Sequence, residues 1–475
     1  MSNTSSVWRR SCWAAGLLLL GMGGATWAQA PGSAAQPAAG PAPAAASATV
    51  TPPINPGHTA WMLTATALVL LMTPGLALFY GGMVRSKNVL GTMAHSLFAM
   101  GIITIQWILF GYSIAFGDNV AGGFFGDIGQ YLGLKNVAFD APRALPPPGE
   151  EYPHMIFMAF QMMFAIITPA LITGAFAERI KFGAYVVFML LWSTFVYDPL
   201  AHWVWGNGIL SAADGSWLKS ITGCGALDFA GGTVVHISSG VSALAFILLT
   251  GKRRGYPESR ILPNNLGITV LGAGLLWFGW FGFNGGSALG SNGLAALAFT
   301  VTHIAAAAAA VSWAVTEWLH RGKASVLGIA SGLVAGLVCI TPASGYVGPM
   351  AALIMGLVVS PVCYTFVTWI KVRFKYDDSL DAFGVHGIGG TIGAVLTGVF
   401  AEAKYNSAGG DGLLAGNGKQ LLAQVIATLV TWVFAFVLTA IIVILLKATI
   451  GVRVEPEEEE TGLDLSQHGE VGYNF

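Results

Sequence analysis

Apolar residues run through this chain in blocks of about twenty, separated by short polar connections, with no alternation of the kind a β-sheet needs. About twenty apolar residues cross a hydrocarbon core. That window predicts eleven membrane helices, at 59–83, 91–116, 153–177, 182–205, 228–250, 263–285, 293–318, 324–342, 347–370, 383–402 and 421–447. The fold class expected is therefore an all-α polytopic membrane protein, with a membrane domain at 58–450 and a tail at 451–475. The beginning of the chain follows another pattern. Arg9 and Arg10 precede a short apolar run, Trp13 to Met22, and Ala28-Gln29-Ala30 has the small residues of a cleavage site. Residues 1–30 thus read as a secretory signal peptide, and the Ala/Pro-rich stretch 31–57 as a disordered lead outside the cytoplasm.

Charge orients the segments. Positive residues collect on the cytoplasmic side of membrane proteins. With the N-terminus outside and eleven crossings, only five of the 22 Lys and Arg fall outside the membrane: Lys135, Arg143, Lys219, Lys404 and Lys419. Apart from the two in the signal, the rest lie at the cytoplasmic ends, among them Arg85, Arg179, Arg253, Arg321 and Lys371. The expected orientation is N-terminus out and C-terminus in. Composition agrees: 55% of residues are hydrophobic and 9% charged, against about 25% charged in a soluble domain. A net charge of −1 gives no electrostatic basis for binding nucleic acid. The four cysteines are scattered without metal or disulfide spacing.

The halves echo one another. The first segment ends Phe79-Tyr80-Gly81-Gly82 and the sixth Phe283-Asn284-Gly285-Gly286. The fifth and tenth each carry a histidine eight residues after an aspartate: Asp228 before His236, and Asp378 before His386. Five segments per copy is an odd number, so the second copy must run inverted, and inverted repeats place their site near the midplane. An ionisable side chain inside a membrane segment costs about 3 kcal/mol and marks a site or pathway. His236 and His386, flanked by small residues, are expected to meet on the repeat axis. Two touching imidazoles can share one proton, each fixing the other's tautomer. A neutral pair offers a donor and an acceptor to a small polar molecule but no charge to a bare cation. His95, His202 and His303 read as ordinary packed histidines. Asp228 is expected to cap its helix and, from the outer side, to help stabilise an incoming cation; Asp378, beside Asp377 and Asp381, is less distinctive. The outer ends are rich in aromatics: Phe160 to Phe164, Trp203-Val204-Trp205 and Trp280 to Phe283, followed by Ser287. Ring faces hold a desolvated cation by about 2 kcal/mol, although aromatic belts fill the same positions.

These motifs resemble the ammonium transporter family (Amt/Mep/Rh), in its bacterial Amt type. The carriers are Asp228-Phe229-Ala230-Gly231-Gly232-Thr233-Val234-Val235-His236, Thr173 to Arg179, Phe281-Gly282-Phe283-Asn284 with Ser287, and Phe383-Gly384-Val385-His386-Gly387. The tail, with Gly462-Leu463-Asp464 and His468-Gly469-Glu470, is also similar. The resemblance implies a homotrimer in the inner membrane, with one pore per subunit and no cofactor. It implies that Phe164, Trp205 and Ser287 form an external ammonium-binding site and that Phe164 and Phe283 close its floor. His236 and His386 would line the pore, and Asp228 would be the buried acid transport needs. It further implies a PII-type signal protein as partner at the tail. One departure is the stretch from Ser211 to Cys224, longer than the usual connection and expected to reshape the outer vestibule. The acidic run Glu457 to Glu460 reads as solvated.

The chemistry suggests a route: ammonium sheds water against the rings and Ser287, loses a proton, and passes as ammonia along the histidines. An intact ion in an apolar tube would be far costlier. Alternatives are an ammonium sensor with little flux, which a fused signalling domain would mark, and a metal-dependent hydrolase built on the histidines and aspartates. A pore for another neutral gas is a variant of the substrate.

Overall fold

The computed structural model describes residues 54–143, 151–258 and 261–473; the signal peptide and most of the lead lie outside them. Among the described residues, ten helices are long and apolar enough to cross a membrane. They are α1 (Pro56–Met83), α2 (Ser86–Phe116), α3 (His154–Phe176), α4 (Phe182–Trp205), α5 (Gly232–Thr250), α6 (Leu266–Gly286), α7 (Gly293–Arg321), α9 (Pro349–Phe374), α10 (Phe383–Phe400) and α11 (Gly418–Thr449). Between α7 and α9 lies a shorter apolar helix, α8 (Val326–Ile340).

Two boundaries differ from the sequence expectation for physical reasons. Helix α1 begins at Pro56 because Asn55 caps it, its side chain accepting from the Gly57 and His58 amides. Helix α8, expected to reach residue 342, stops at Ile340. Its 15 residues span only about 22 Å at 1.5 Å per residue. The chain then turns through Thr341 and Pro342 into a buried connection, in which the Pro342 carbonyl accepts from the Phe229 amide at 3.1 Å. Backbone of this kind is tolerated at membrane depth where protein covers it.

Small residues set the central packing. Helices α1 and α6 run antiparallel: Gly75 lies against Leu275 and Leu276, Gly82 against Asn265 and Thr269, and Gly279 against Leu68 and Met72. Helices α5 and α10 also run antiparallel and cross where a Cβ on Gly240 would fall 2.1 Å from the Gly387 amide. A Cβ on Gly390 would fall 2.9 Å from the His236 Cβ. Each glycine stands four residues beyond its own helix's histidine and faces the other's, so the crossing is reciprocal. Gly240→Ala is expected to push the helices apart and to cost about 1–3 kcal/mol as an overpacked core. A thermal melt of the purified protein indistinguishable from wild type would show that the crossing yields more easily than its geometry implies.

The tail folds back on the helix connections. Short helices α12 (Pro456–Thr461) and α13 (Leu463–His468) place Asp464 so that its carboxylate accepts from the Gly91 amide near the start of α2, at 2.8 Å. The Leu463 amide donates to Asn88 and the Tyr473 hydroxyl to Asn264. The acidic run is not uniformly solvated. Glu459 is buried, accepting from Arg453 at 2.7 Å and from the Arg254 amide at 2.7 Å.

Candidate functional site

Five of the long helices contain a π-helical turn, a feature frequent at functional positions. Two of these turns, Gly232–Ile237 and Phe383–Gly387, carry His236 and His386. Each follows an aspartate that gathers backbone donors. The Asp228 carboxylate accepts from Gly231, Gly232, Thr233 and Val234, at 2.6–3.1 Å. The Asp378 carboxylate accepts from Ala382, Phe383 and Gly384, at 2.8–3.2 Å. The turn back to each carboxylate needs a left-handed residue three positions on, supplied by Gly231 at φ 114° and by Asp381 at φ 60°. The expectation that Asp378 is less distinctive is thus corrected: the two aspartates do the same local job. The capping expected of Asp228 is present.

The histidines meet. His236 Nδ1 lies 3.3 Å from His386 Nδ1, with the rings 5.3 Å apart and nearly parallel. Two ring nitrogens at that distance must hold one proton between them, one donating and the other accepting. His236 also stacks on Trp280, whose indole N–H donates to Thr341 Oγ1 at 2.9 Å. Thr341 opens the buried connection after α8, so that connection fixes one wall of the histidine site. Both histidines line a narrow space of about 10 Å³, otherwise walled by apolar residues including Leu171, Val235 and Leu276. That is about one water-sized sphere. Among the described residues, no group of three or more His, Cys, Asp or Glu is placed to hold a metal ion, so the hydrolase alternative lacks a ligand set.

Above the histidines the aromatics divide. Phe164 and Phe283 lie against each other with centroids 4.3 Å apart and ring planes tilted by 34°, and Phe283 lies 6.1 Å from the His236 ring. Phe283 lines the narrow space, whereas Phe164 lines a separate cavity of about 160 Å³ together with Trp205, Ser287, Gln161 and Phe229. The ring pair thus contributes one member to each lining. Trp205 meets Phe164 edge-on at 6.0 Å, and its indole N–H is occupied by the Asp228 carbonyl at 2.9 Å. The Ser287 hydroxyl donates to the Phe283 carbonyl at 2.8 Å, so toward a ligand its oxygen is an acceptor. Trp203 and Phe281 turn away, toward Phe434 and Phe299 respectively.

Several neighbours were not evident from the sequence. The Arg143 guanidinium lies 4.3 Å from the Phe157 ring centroid and lines the same cavity as Phe164. Asp198, wholly buried within α4, accepts from Gln106 Nε2 of α2 at 2.6 Å; an acid inside an apolar segment was its available signal. His95 is buried among Phe176, Phe182 and Tyr185, as expected of a packed histidine, whereas His303 stacks on Trp277 but stays exposed, so the expectation of a packed side chain is corrected there. The long stretch Ser211 to Cys224 forms the short helix Trp217–Thr222, and none of its residues lines the aromatic cavity. The expectation that it reshapes the vestibule is not met there: Trp217 lies instead beside Leu429, Val433 and Val437 of α11.

Below the site, charged side chains tie four connections together. Arg253 grips Asp377 through Nε and Nη2, at 2.9 and 2.8 Å, and reaches Glu178 at 3.1 Å. Arg179 holds Asp377 at 3.1 Å, and Arg85 holds Glu178 at 3.1 Å. Burial alone would raise both carboxyls, but the guanidiniums outweigh it and hold each below the ordinary carboxylate range.

Comparison with known proteins places this geometry. Residues 60–473 match the Ammonium Transporter Family. The chain is 49% identical to an ammonium transporter of Aquifex aeolicus over 426 residues, covering 89% of this chain and 94% of that one. It is 49% identical to an ammonium transporter of Bacillus subtilis, covering 88% and 98% respectively. Among solved structures, Candida albicans Mep2 superposes with a TM-score of 0.77 at 35% identity, over 85% of this chain and 88% of that one. A sensor Amt protein superposes with a TM-score of 0.78 at 31% identity, over 87% and 98%. With a family match over most of its length and relatives near half identity, this chain belongs to the ammonium transporter family.

Proposed function

We propose that this protein transports ammonium across the inner membrane, taking the ion at the aromatic cavity and passing it beyond the histidine pair as ammonia. The observation that carries the reading is the contrast between the two spaces. A cavity of about 160 Å³ with ring faces and a serine oxygen is lined by Phe164 of the Phe164–Phe283 pair. A space of about 10 Å³ with two imidazoles sharing one proton is lined by Phe283. A cation gains from the first and is penalised in the second, because a neutral imidazole pair in apolar walls offers no countercharge. Ammonium resolves the conflict by giving up a proton; sodium and potassium have none to give. In this scheme Phe164, Trp205 and Ser287 bind the ion, Phe164 and Phe283 gate it, and His236 and His386 line the path. Asp228 stabilises positive charge at the mouth and serves as the proton relay.

The reading extends to architecture. Counting α8 gives eleven spans, and the antiparallel pairing of α1 with α6 and of α5 with α10 supports an inverted five-helix repeat. The positive-residue bias favours the N-terminus outside, after removal of the signal at 1–30, and the tail 451–475 inside. The assembly is a homotrimer, with the tail offering a docking site to a PII-type signal protein. The activity is transport, with no covalent chemistry on the substrate.

Currents evoked by ammonium in reconstituted vesicles provide the test. His236→Ala should lower the ammonium response at least tenfold, about 1.4 kcal/mol or more in barrier, or else admit potassium. If His236→Ala conducts ammonium as the wild type does and still excludes potassium, the proton-loss scheme fails.

A further inference from the structure

Gln424, in the second turn of α11, is a polar residue that the transport scheme does not use. It is 1% exposed and its amide is fully engaged. Its Oε1 accepts from the Leu227 amide at 2.6 Å, and its Nε2 donates to the Leu227 carbonyl and to the Ala394 carbonyl, each at 2.9 Å. Gln420, one turn earlier and also buried, donates to the Gly225 carbonyl at 2.9 Å. Leu227 immediately precedes Asp228, whose own carbonyl is held by the Trp205 indole. Ala394 lies eight residues beyond His386 on α10. One side chain thus clasps both the N–H and the carbonyl of the residue before the buried acid and at the same time the helix that carries the second histidine.

We infer that Gln424 is a positioning residue for transport: it sets where the Asp228 carboxylate sits and couples that position to the His386 helix. No other side-chain type of this size meets the requirement. The site presents one N–H and two carbonyls, which need one acceptor and two donors, and a glutamine amide supplies both. Glutamate accepts but when ionised cannot donate. Leucine does neither: it leaves the buried N–H and carbonyl of Leu227 unpaired, each costing about 1–3 kcal/mol, and removes the second donor from the helical Ala394 carbonyl. Gln424 is not itself among the residues lining the aromatic cavity, so the effect should fall mainly on turnover. The inference rests on Asp228 serving transport.

The test uses the full-length protein, with ammonium-evoked current in vesicles and hydrogen–deuterium exchange in detergent. Gln424→Leu should cut the saturating current at least fivefold, leave half-saturation within about twofold, and speed amide exchange at least tenfold in 225–236 but not in α1 or α6. Gln424→Glu should show the same current defect at neutral pH and recover part of it, relative to wild type, as the pH falls, because a protonated carboxyl regains one donor. Should Gln424→Leu not fold, the pH-dependent recovery of Gln424→Glu decides alone. Wild-type current in either variant overturns the inference. So does a current loss without faster exchange in 225–236, exchange that quickens throughout the protein, or a Gln424→Glu defect that ignores pH. Asp228→Asn serves as the control. If it carries wild-type current, the role given to Asp228 fails, whereas a poor Asp228→Asn beside a normal Gln424→Leu sinks only the present inference.

Discussion

Replacing Asp228 by asparagine is expected to lower ammonium-evoked current by at least tenfold and to destabilise the protein by about 2–4 kcal/mol. The native carboxylate serves four backbone donors, two on each oxygen. An asparagine side chain keeps one acceptor and turns its NH₂ toward two amides that are themselves donors. Each stranded amide costs about 1–3 kcal/mol, and the negative charge facing the positive end of α5 is lost as well. The first turn of α5 carries His236, so the imidazole pair should shift with the cap. Alanine, which retains no acceptor, should be worse than asparagine in both current and thermal stability. A variant ranking in which alanine equals wild type would remove Asp228 from the transport scheme and leave the helix start held by packing alone.

Arg253→Ala carries the largest effect expected on folding. It would strip Asp377 of two guanidinium bonds and Glu178 of one, leaving carboxylates that are fully enclosed and only partly compensated. Breaking a buried pair from one side typically costs about 3–5 kcal/mol. The same cluster predicts acid sensitivity. Glu178 and Asp377 are both held below their ordinary range, so they favour the folded state fully at pH values above about 4, where the unfolded carboxyls are ionised. That contribution is lost as the pH falls through the depressed folded values. Unfolding temperature measured in detergent between neutral pH and pH 3 should therefore drop steeply in the acid range for wild type. Arg253→Ala should begin lower and drop less, since its carboxyls no longer titrate so far down. An equal acid slope in the two proteins would show that other groups govern the decline.

Much of this was legible in the sequence because long apolar runs and repeated motifs leave little freedom. The Asp-to-His spacing of eight put each histidine in the π-helical turn that follows its aspartate, and the two rings meet as expected. What stayed hidden was contact across large separations. Length alone could not show that α8 ends against a buried connection, since Thr341 and Pro342 continue the apolar run while their backbone leaves the helix. Aromatic residues at the outer ends looked alike, yet Phe164 and Trp205 enter the cavity while Trp203 and Phe281 face neighbouring helices. Gln424 stands in the open as a polar residue in an apolar helix, but its three partners lie 197 and 30 residues away. Glu459 looked like one of four solvated acids until the fold brought Arg453 and Arg254 to it.

The reciprocal crossing of the two glycine-notched helices has a consequence for direction. Turning the α5–α10 pair end over end exchanges one notch for the other, so the helix crossing by itself carries no direction. The histidine walls are less even, since Trp280 and Phe283 stand against His236. Under the proposed transport, a bias between uptake and leakage would have to come from those walls and from the two rims, where ring faces stand on one side and paired guanidiniums on the other.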